Sequence, residues 1–261
     1  MIWRVGLIDS CGGLEGVDGA LHGDAASVAG AAAFVAEGGR VECREPVADP
    51  TGHGSRIAGL LMSGRRLELL LGQVFATSGP TSPAAVAAAI DWAVERRAGL
   101  IHLSLGLAGD RAVLKLAVQR ALDAGCVLVA AMPARGAPTY PAAYPGVIRA
   151  TGDGRCAPHE LSALSTGIFG GCPRLEVASC SADGRATSGQ ATNDRATNDC
   201  ARNGRATNGL PDGRTSGGAS VGAAWVTHAI LQQPPLAAPA IVEAMRARAK
   251  YHGPERRTPA A

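Results

Sequence analysis

The chain has 261 residues, 46% of them hydrophobic, and a net charge of +3, which is enough to bury a sizeable core and falls in the range of a single α/β domain. Only 3% of its residues are aromatic while glycine contributes 35, so Leu, Val, Ile and Ala must fill that core. A charge so near balance, with no basic stripe and no aromatic stacking platform, excludes nucleic-acid binding.

The first strand is read at Trp3 to Asp9, directly at the N-terminus and without the basic, apolar and small-residue pattern of a secretory signal. The Ala-rich tract from Ala25 to Glu37 is predicted as a helix ended by Gly38 and Gly39. Its apolar run falls short of the roughly 18 residues of a membrane span, so no membrane partner is expected. Val41 to Val47 reads as extended, a helix follows His53, and Leu67 to Phe75 is a further strand.

Ser82 and Pro83 form a helix start, a capping residue followed by proline at the first helical position. Val86, Ala89, Ile90, Ala93 and Val94 recur at helical spacing up to Gly99, and Leu100 to Leu105 is then a buried strand. Asp110 is predicted to cap the next helix, whose inward stripe is Val113, Leu114, Ala117, Val118 and Ala121 and whose stop is Gly125. Val127 to Ala131, Val147 to Thr151 and Leu175 to Ala178 read as strands. A last helix opens at Pro239, turns Ile241, Val242, Met245 and Ala249 inward, and is closed by Gly253 and Pro254. This alternation favours a mostly parallel sheet with helices on both faces. A polar run from 183 to 214 interrupts it, with Arg-Ala-Thr recurring at 185, 195 and 205. Such a composition buries too little apolar surface to offset its ordering entropy, and it is expected to be a surface insertion.

Seven cysteines, at 11, 43, 126, 156, 172, 180 and 200, form no C-x-x-C pair. An odd number without that spacing signals neither a disulfide framework nor a zinc knuckle. Reduced thiols in the cytoplasm are expected, with no metal and no cofactor.

Three short motifs carry chemistry. Asp9 ends the first strand, where parallel sheets place functional groups; His53 lies in Gly52-His53-Gly54-Ser55; Ser220 lies in Gly217-Gly218-Ala219-Ser220, a small-residue turn opening a helix. A serine hydroxyl is inert at its own pKa and needs an imidazole to take its proton. The imidazole in turn needs an acid to fix its tautomer. A serine at a helix N-terminus also has backbone N–H groups directed at a developing oxyanion. Gly218-Ala-Ser220-Val-Gly222 fits the G-x-S-x-G pattern as well, but that arrangement needs a strand before the serine and an acid then a histidine after it. His228 and His252, read on helical segments, are assigned structural or solvated roles; His102, in an apolar strand, is read as a satisfied core histidine and Cys11 as a packing residue.

In this order the three motifs resemble the subtilisin (subtilase) family. The resemblance extends to Ser104-Leu105-Gly106, similar to that family's substrate-binding segment, to 127–136, similar to its oxyanion-hole strand and turn, and to Tyr140 through Ile148. It implies a subtilisin-like three-layer α/β fold and serine endopeptidase activity. Asp9 would then be the orienting acid, His53 the base and Ser220 the nucleophile. Ser104, Leu105, Gly106, Ala130, Ala131, Met132 and Pro133 would line a cleft that pairs an extended peptide by main-chain hydrogen bonds.

Two positions depart from the family pattern. Ala134 stands where the family carries an asparagine donor, and Ala219 where a threonine precedes the nucleophile; Arg135 is a candidate replacement donor. In subtilisin, loss of one such donor costs about 10² to 10³ in rate. Since the chain opens on the Asp9 strand and shows no acidic calcium loop, no prodomain and no calcium site are expected. These features resemble the stand-alone subtilisin-like proteases that remove leaders from ribosomally made, modified peptides, those maturing the quinohaemoprotein amine dehydrogenase small subunit among them. The implied substrate is a peptide or protein precursor, and the implied partner a radical-SAM peptide-modifying enzyme. The competing reading is a catalytically silent fold that binds a peptide or a partner enzyme.

Overall fold

The computed structural model describes residues 2–13, 26–64, 66–76, 79–175 and 218–254. In chain order its elements are β1 (Trp3–Asp9), β2 (Ala26–Glu37), β3 (Arg40–Arg44), α1 (His53–Met62), β4 (Leu67–Gln73), α2 (Pro83–Glu95), β5 (Leu100–Leu103), α3 (Ala112–Asp123), β6 (Val127–Ala131), β7 (Ile148–Gly152), β8 (Leu161–Ser165), β9 (Ile168–Gly171), α4 (Ala219–Ile230), α5 (Ala238–Arg248) and β10 (Tyr251–His252). The strands form one sheet in the order β10-β8-β9-β7-β6-β5-β1-β4-β2-β3. Pairing is antiparallel at β2–β3 and β8–β9 and parallel elsewhere.

Alternate side chains of the central strands point to opposite faces, and this divides the core in two. Val5, Leu7, Leu69, Leu71, Leu100, Val127 and Val129 pack with residues of α1, α4 and α5. Ile8, Leu70, Ile101, Leu103, Leu128 and Ala130 pack with residues of α2 and α3. The result is the three-layer, mostly parallel α/β architecture expected from the sequence. Because β1, β5 and β6 are parallel neighbours, their C-terminal ends, Asp9, Leu103 and Ala131, come to one edge of the sheet.

The tract expected as a helix from Ala25 to Glu37 is instead β2, which pairs with β4 from Ala26 opposite Leu67 to Ala33 opposite Gln73 and turns back on β3. Tertiary pairing here overrides the helical preference of alanine. Small residues suit the site because bulky Trp92 of α2 lies over the strand, edge-on to Phe34 at 5.8 Å and beside Gly30.

Ser82 caps α2, accepting a hydrogen bond from Ala85 N at 3.0 Å. Asp110 does not cap α3, whose N-cap is Arg111 without a side-chain bond. The Asp110 carboxylate is taken by the Tyr144 hydroxyl at 2.7 Å. Val113 faces solvent, while Leu114, Ala117, Val118 and Ala121 are buried as expected. α5 stops at Arg248, ahead of Gly253, and His252 lies in β10 rather than a helix. The 183–214 insertion and all but Leu175 of the expected strand at Leu175 to Ala178 lie outside the described residues.

α4 is seated on β7 at Gly222, where a Cβ would come within 2.3 Å of Thr151 O and 2.5 Å of Gly152 backbone atoms. Only glycine permits that approach. Gly222→Ala is expected to destabilise the protein by about 2 to 3 kcal/mol, the scale of overpacking a tight core, and to lower Tm by roughly 5–10 °C in a thermal melt. An unchanged Tm would show that α4 can lift from the sheet without cost.

Candidate active site

Asp9 is buried at the end of β1, with 3% of its surface exposed. His53 is the first residue of α1, and the fold brings the helix to Asp9 through Gly54, where a Cβ would lie 2.4 Å from Cys11 N. Ser220 is the second residue of α4, behind the Gly218 N-cap. His53 Nδ1 is 2.9 and 3.0 Å from the two Asp9 carboxylate oxygens, and His53 Nε2 is 2.9 Å from Ser220 Oγ. An ionised carboxylate can only accept, so the Nδ1 proton donates to Asp9 and Nε2 is left to accept from the serine hydroxyl. The first-turn N–H groups of α4 have no intrahelical acceptor.

Electrostatics follow from these contacts. Burial works to raise the Asp9 pKa, but the charge and hydrogen bond of His53, with the nearby Ser104 hydroxyl and the bond from Ser10 N–H, outweigh it and hold the carboxyl below its ordinary value. Burial works to lower the His53 pKa, while the charge and hydrogen bond of Asp9 raise it above the usual imidazole value.

The helix start is braced by groups that sequence reading passed over. Asp49 accepts from Thr51 N, Gly52 N and Ser55 N at 3.1, 2.9 and 2.8 Å, and from Ser55 Oγ at 2.8 Å. Ser10 Oγ accepts from Gly54 N at 3.0 Å. Fully buried Gln73 donates to Ser10 O at 2.7 Å and to Val47 O at 2.9 Å, and accepts from Val47 N at 2.9 Å. The signal for Asp49 was its place in Asp-Pro-Thr-Gly, an acid turning into a helix N-terminus; nothing local marks Gln73.

Beside Ser220 lies a cleft of about 340 Å³ lined by Ser104, Leu105, Gly106, Ala131, Met132, Pro133, Thr139, Ala219 and Ser220. Six of the seven residues expected to line it do so. Ala130 does not: it is fully buried on the opposite face of the sheet, among the α2 and α3 side chains, because alternation along β6 turns it away from Ala131. Thr139 was missed; it fills the space above Gly106, where a Cβ would fall 2.8 Å from its side chain. Ala134 and Arg135 are exposed and do not line the cleft. The cleft wall is tied back by the Leu107–Tyr140 pair, with N–H to O distances of 2.7 and 2.8 Å in the two directions.

Cys11 is buried against this site, and burial pushes its thiol up to about 11, so it packs as a neutral group. Cys11, Cys43, Cys126, Cys156 and Cys172 are free thiols. No helix of the described residues is long and apolar enough to cross a membrane.

A mostly parallel sheet that gathers an acid, an imidazole and a serine at its strand ends, in that chain order, is subtilisin-like. The chain is similar over 134 residues to a thermostable alkaline protease of Halalkalibacterium halodurans, at 34% identity, covering 46% of this chain and 35% of the relative. It is 29% identical over 131 residues to the minor extracellular protease Epr of Bacillus subtilis, covering 45% of this chain and 20% of that protein. The chain therefore spans about a third or less of the length of these relatives. A solved structure, that of the prenylagaramide maturation protease PagA, aligns with a TM-score of 0.43 at 18% identity, covering 58% of this chain and 53% of that one. No family model matches the chain.

The raised His53 pKa makes a measurable prediction. The pair with Asp9 adds stability that is full below about 6.5, the unfolded imidazole value, and is lost as pH climbs through the higher folded value. An NMR titration should place the His53 midpoint above 6.5, and Asp9→Asn should drop it below, because burial then outweighs the remaining pull of Asp49. A midpoint unmoved by Asp9→Asn would break the pairing.

Proposed function

We propose that the protein is a serine endopeptidase performing limited proteolysis, in which Ser220 attacks the scissile carbonyl, His53 takes its proton and Asp9 holds the imidazole. The observation that carries this reading is the unbroken hydrogen-bond line Asp9–His53–Ser220 at the mouth of the cleft. The similarity in sequence to two proteases supports it. In the mechanism, Nε2 accepts the hydroxyl proton as Oγ bonds to the carbonyl carbon, and the imidazolium then protonates the leaving amine. The N–H groups opening α4 receive the oxyanion. Ser104-Leu105-Gly106 and Ala131-Met132-Pro133 form two walls for an extended peptide.

The substrate we assign is a leader-bearing precursor, such as a modified peptide or a cofactor-bearing subunit of the quinohaemoprotein amine dehydrogenase small-subunit type, with a radical-SAM peptide-modifying enzyme as partner and the cytoplasm as compartment. An oxyanion site without the family's side-chain donors supports this assignment. Such a site suits a substrate held by many contacts, whose binding energy offsets a weaker transition-state grip.

Ser220→Ala should abolish cleavage of the cognate precursor, by about 10⁶, while binding of that peptide changes less than threefold; mass analysis of products from precursors encoded beside the gene measures both. Retained cleavage ends the assignment. A wild-type protein that binds the precursor and neither cuts it nor reacts with a fluorophosphonate is the silent binding module instead. Ala134→Asn should change the cleavage rate by less than about threefold, since residue 134 stands outside the cleft, against the 10² or more that a recovered oxyanion donor supplies. A gain of that larger size would place residue 134 at the oxyanion.

A further inference from the structure

Among the described residues, His102 is the one fully buried histidine near the site that the proposed mechanism leaves unused. It lies on β5, opposite Leu7 of β1, with no exposed surface. Its Nδ1 is 2.8 Å from Thr227 Oγ1 on α4, and its Nε2 is 3.0 Å from Ser104 Oγ. Ser104 follows β5 and lines the cleft beside Ser220.

A neutral imidazole carries one ring proton, so His102 donates to one of these two hydroxyls and accepts from the other. Ser220 and Thr227 are seven residues apart on α4, two turns on one helical face. His102 thus ties the helix that carries Ser220 to the strand end that carries the Ser104 wall of the cleft.

We propose that His102, held between Thr227 and Ser104, is a positioning residue for the reaction: its bond to Thr227 sets the height and rotation of α4 that place Ser220 Oγ against His53, and its bond to Ser104 fixes the cleft wall to the same helix. The inference rests on the triad reading above. The titratable groups that face His102 are Asp9 of β1 and His53 of α1. Burial lowers its own pKa to about 4, so it stays neutral through the range in which His53 titrates.

The test combines one measurement on the wild type with three variants. In ¹⁵N NMR of the full chain, His102 should stay neutral, in one tautomer, throughout pH 5–9. The rate of Ser220 labelling by a fluorophosphonate, followed against pH, reads nucleophile activation without the natural substrate. His102→Phe should slow the limiting rate roughly tenfold, as small misplacements of reacting groups do. His102→Gln, whose amide can still bond Ser104, should recover to within about threefold of wild type. Thr227→Val, close in shape, should slow labelling about three- to fivefold. A His102 that protonates within that range or averages between tautomers overturns the proposal, as do folded His102→Phe and Thr227→Val proteins that label at the wild-type rate. If His102→Phe does not fold, the tautomer and Thr227→Val decide. A wild type that is neither labelled at Ser220 nor able to cleave defeats the triad reading, whatever the tautomer, which keeps the two failures apart.

Discussion

A carboxylate buried at the end of the central strand is the constraint around which this molecule is arranged. Removing Asp9 from water costs several kcal/mol unless its oxygens are met by donors. Those donors are the N–H and hydroxyl of Ser10, at 2.6 and 3.2 Å, and the His53 ring. The two residues are delivered by different pieces of the fold: Ser10 follows β1 and His53 opens α1. Misplacing either of them leaves a buried charge partly unmet, so satisfying the acid also fixes the geometry of the site.

The same logic extends outward to the helix that bears His53. α1 begins at a left-handed Gly52 without a side-chain cap of its own, and its unpaired N–H groups are met instead by Asp49 and Ser10. The acid at Asp49 also lies at the positive end of the helix dipole. Hydrogen bonds hold its pKa down against its burial, so it remains an acceptor where the helix needs one. Gln73, opposite Asp9 in the β4 register, ties the Val47 segment to Ser10 from beneath. The imidazole is therefore held by its own hydrogen bonds and by a backbone anchored on both sides.

What could be read from the sequence divides along the same physical line. The strands β1, β4, β5 and β6 and the helices α2 and α3 were legible because each carries its apolar period and its own start or stop residues, as with Ser82 and Pro83. Asp9, His53 and Ser220 could be picked out only together, because their three short motifs in that order resemble those of the subtilisin family. β2 was misread because alanine reads as helical in isolation, and only its pairing with β4 and the cover of Trp92 make it a strand. Asp110 was misread because its partner, Tyr144, comes from 34 residues away. Ala130 was misassigned to the cleft by ignoring the two-residue alternation that points Ala131 toward it and Ala130 away. Gln73, Thr139 and the role inferred for His102 depend on contacts distant in sequence, for which no local pattern exists.

The placement of the cleft gives its walls an order that does not depend on side-chain donors. Its two walls continue directly from β5 and β6, adjacent parallel strands whose register is fixed by the buried Leu100 to Leu103 and Val127 to Ala130 pairs. The antiparallel bridge between Leu107 and Tyr140 then fastens one wall beyond the end of the sheet, with the Tyr140 and Tyr144 rings packed at a tilt, their centroids 4.9 Å apart. A peptide laid between such walls meets main-chain groups whose positions are set by the sheet and lose little further freedom on binding. Under the proposed function, rigidity of this kind moves the burden of selectivity and rate from the oxyanion contacts to the length of peptide engaged. That favours one well-matched precursor over many loosely held substrates.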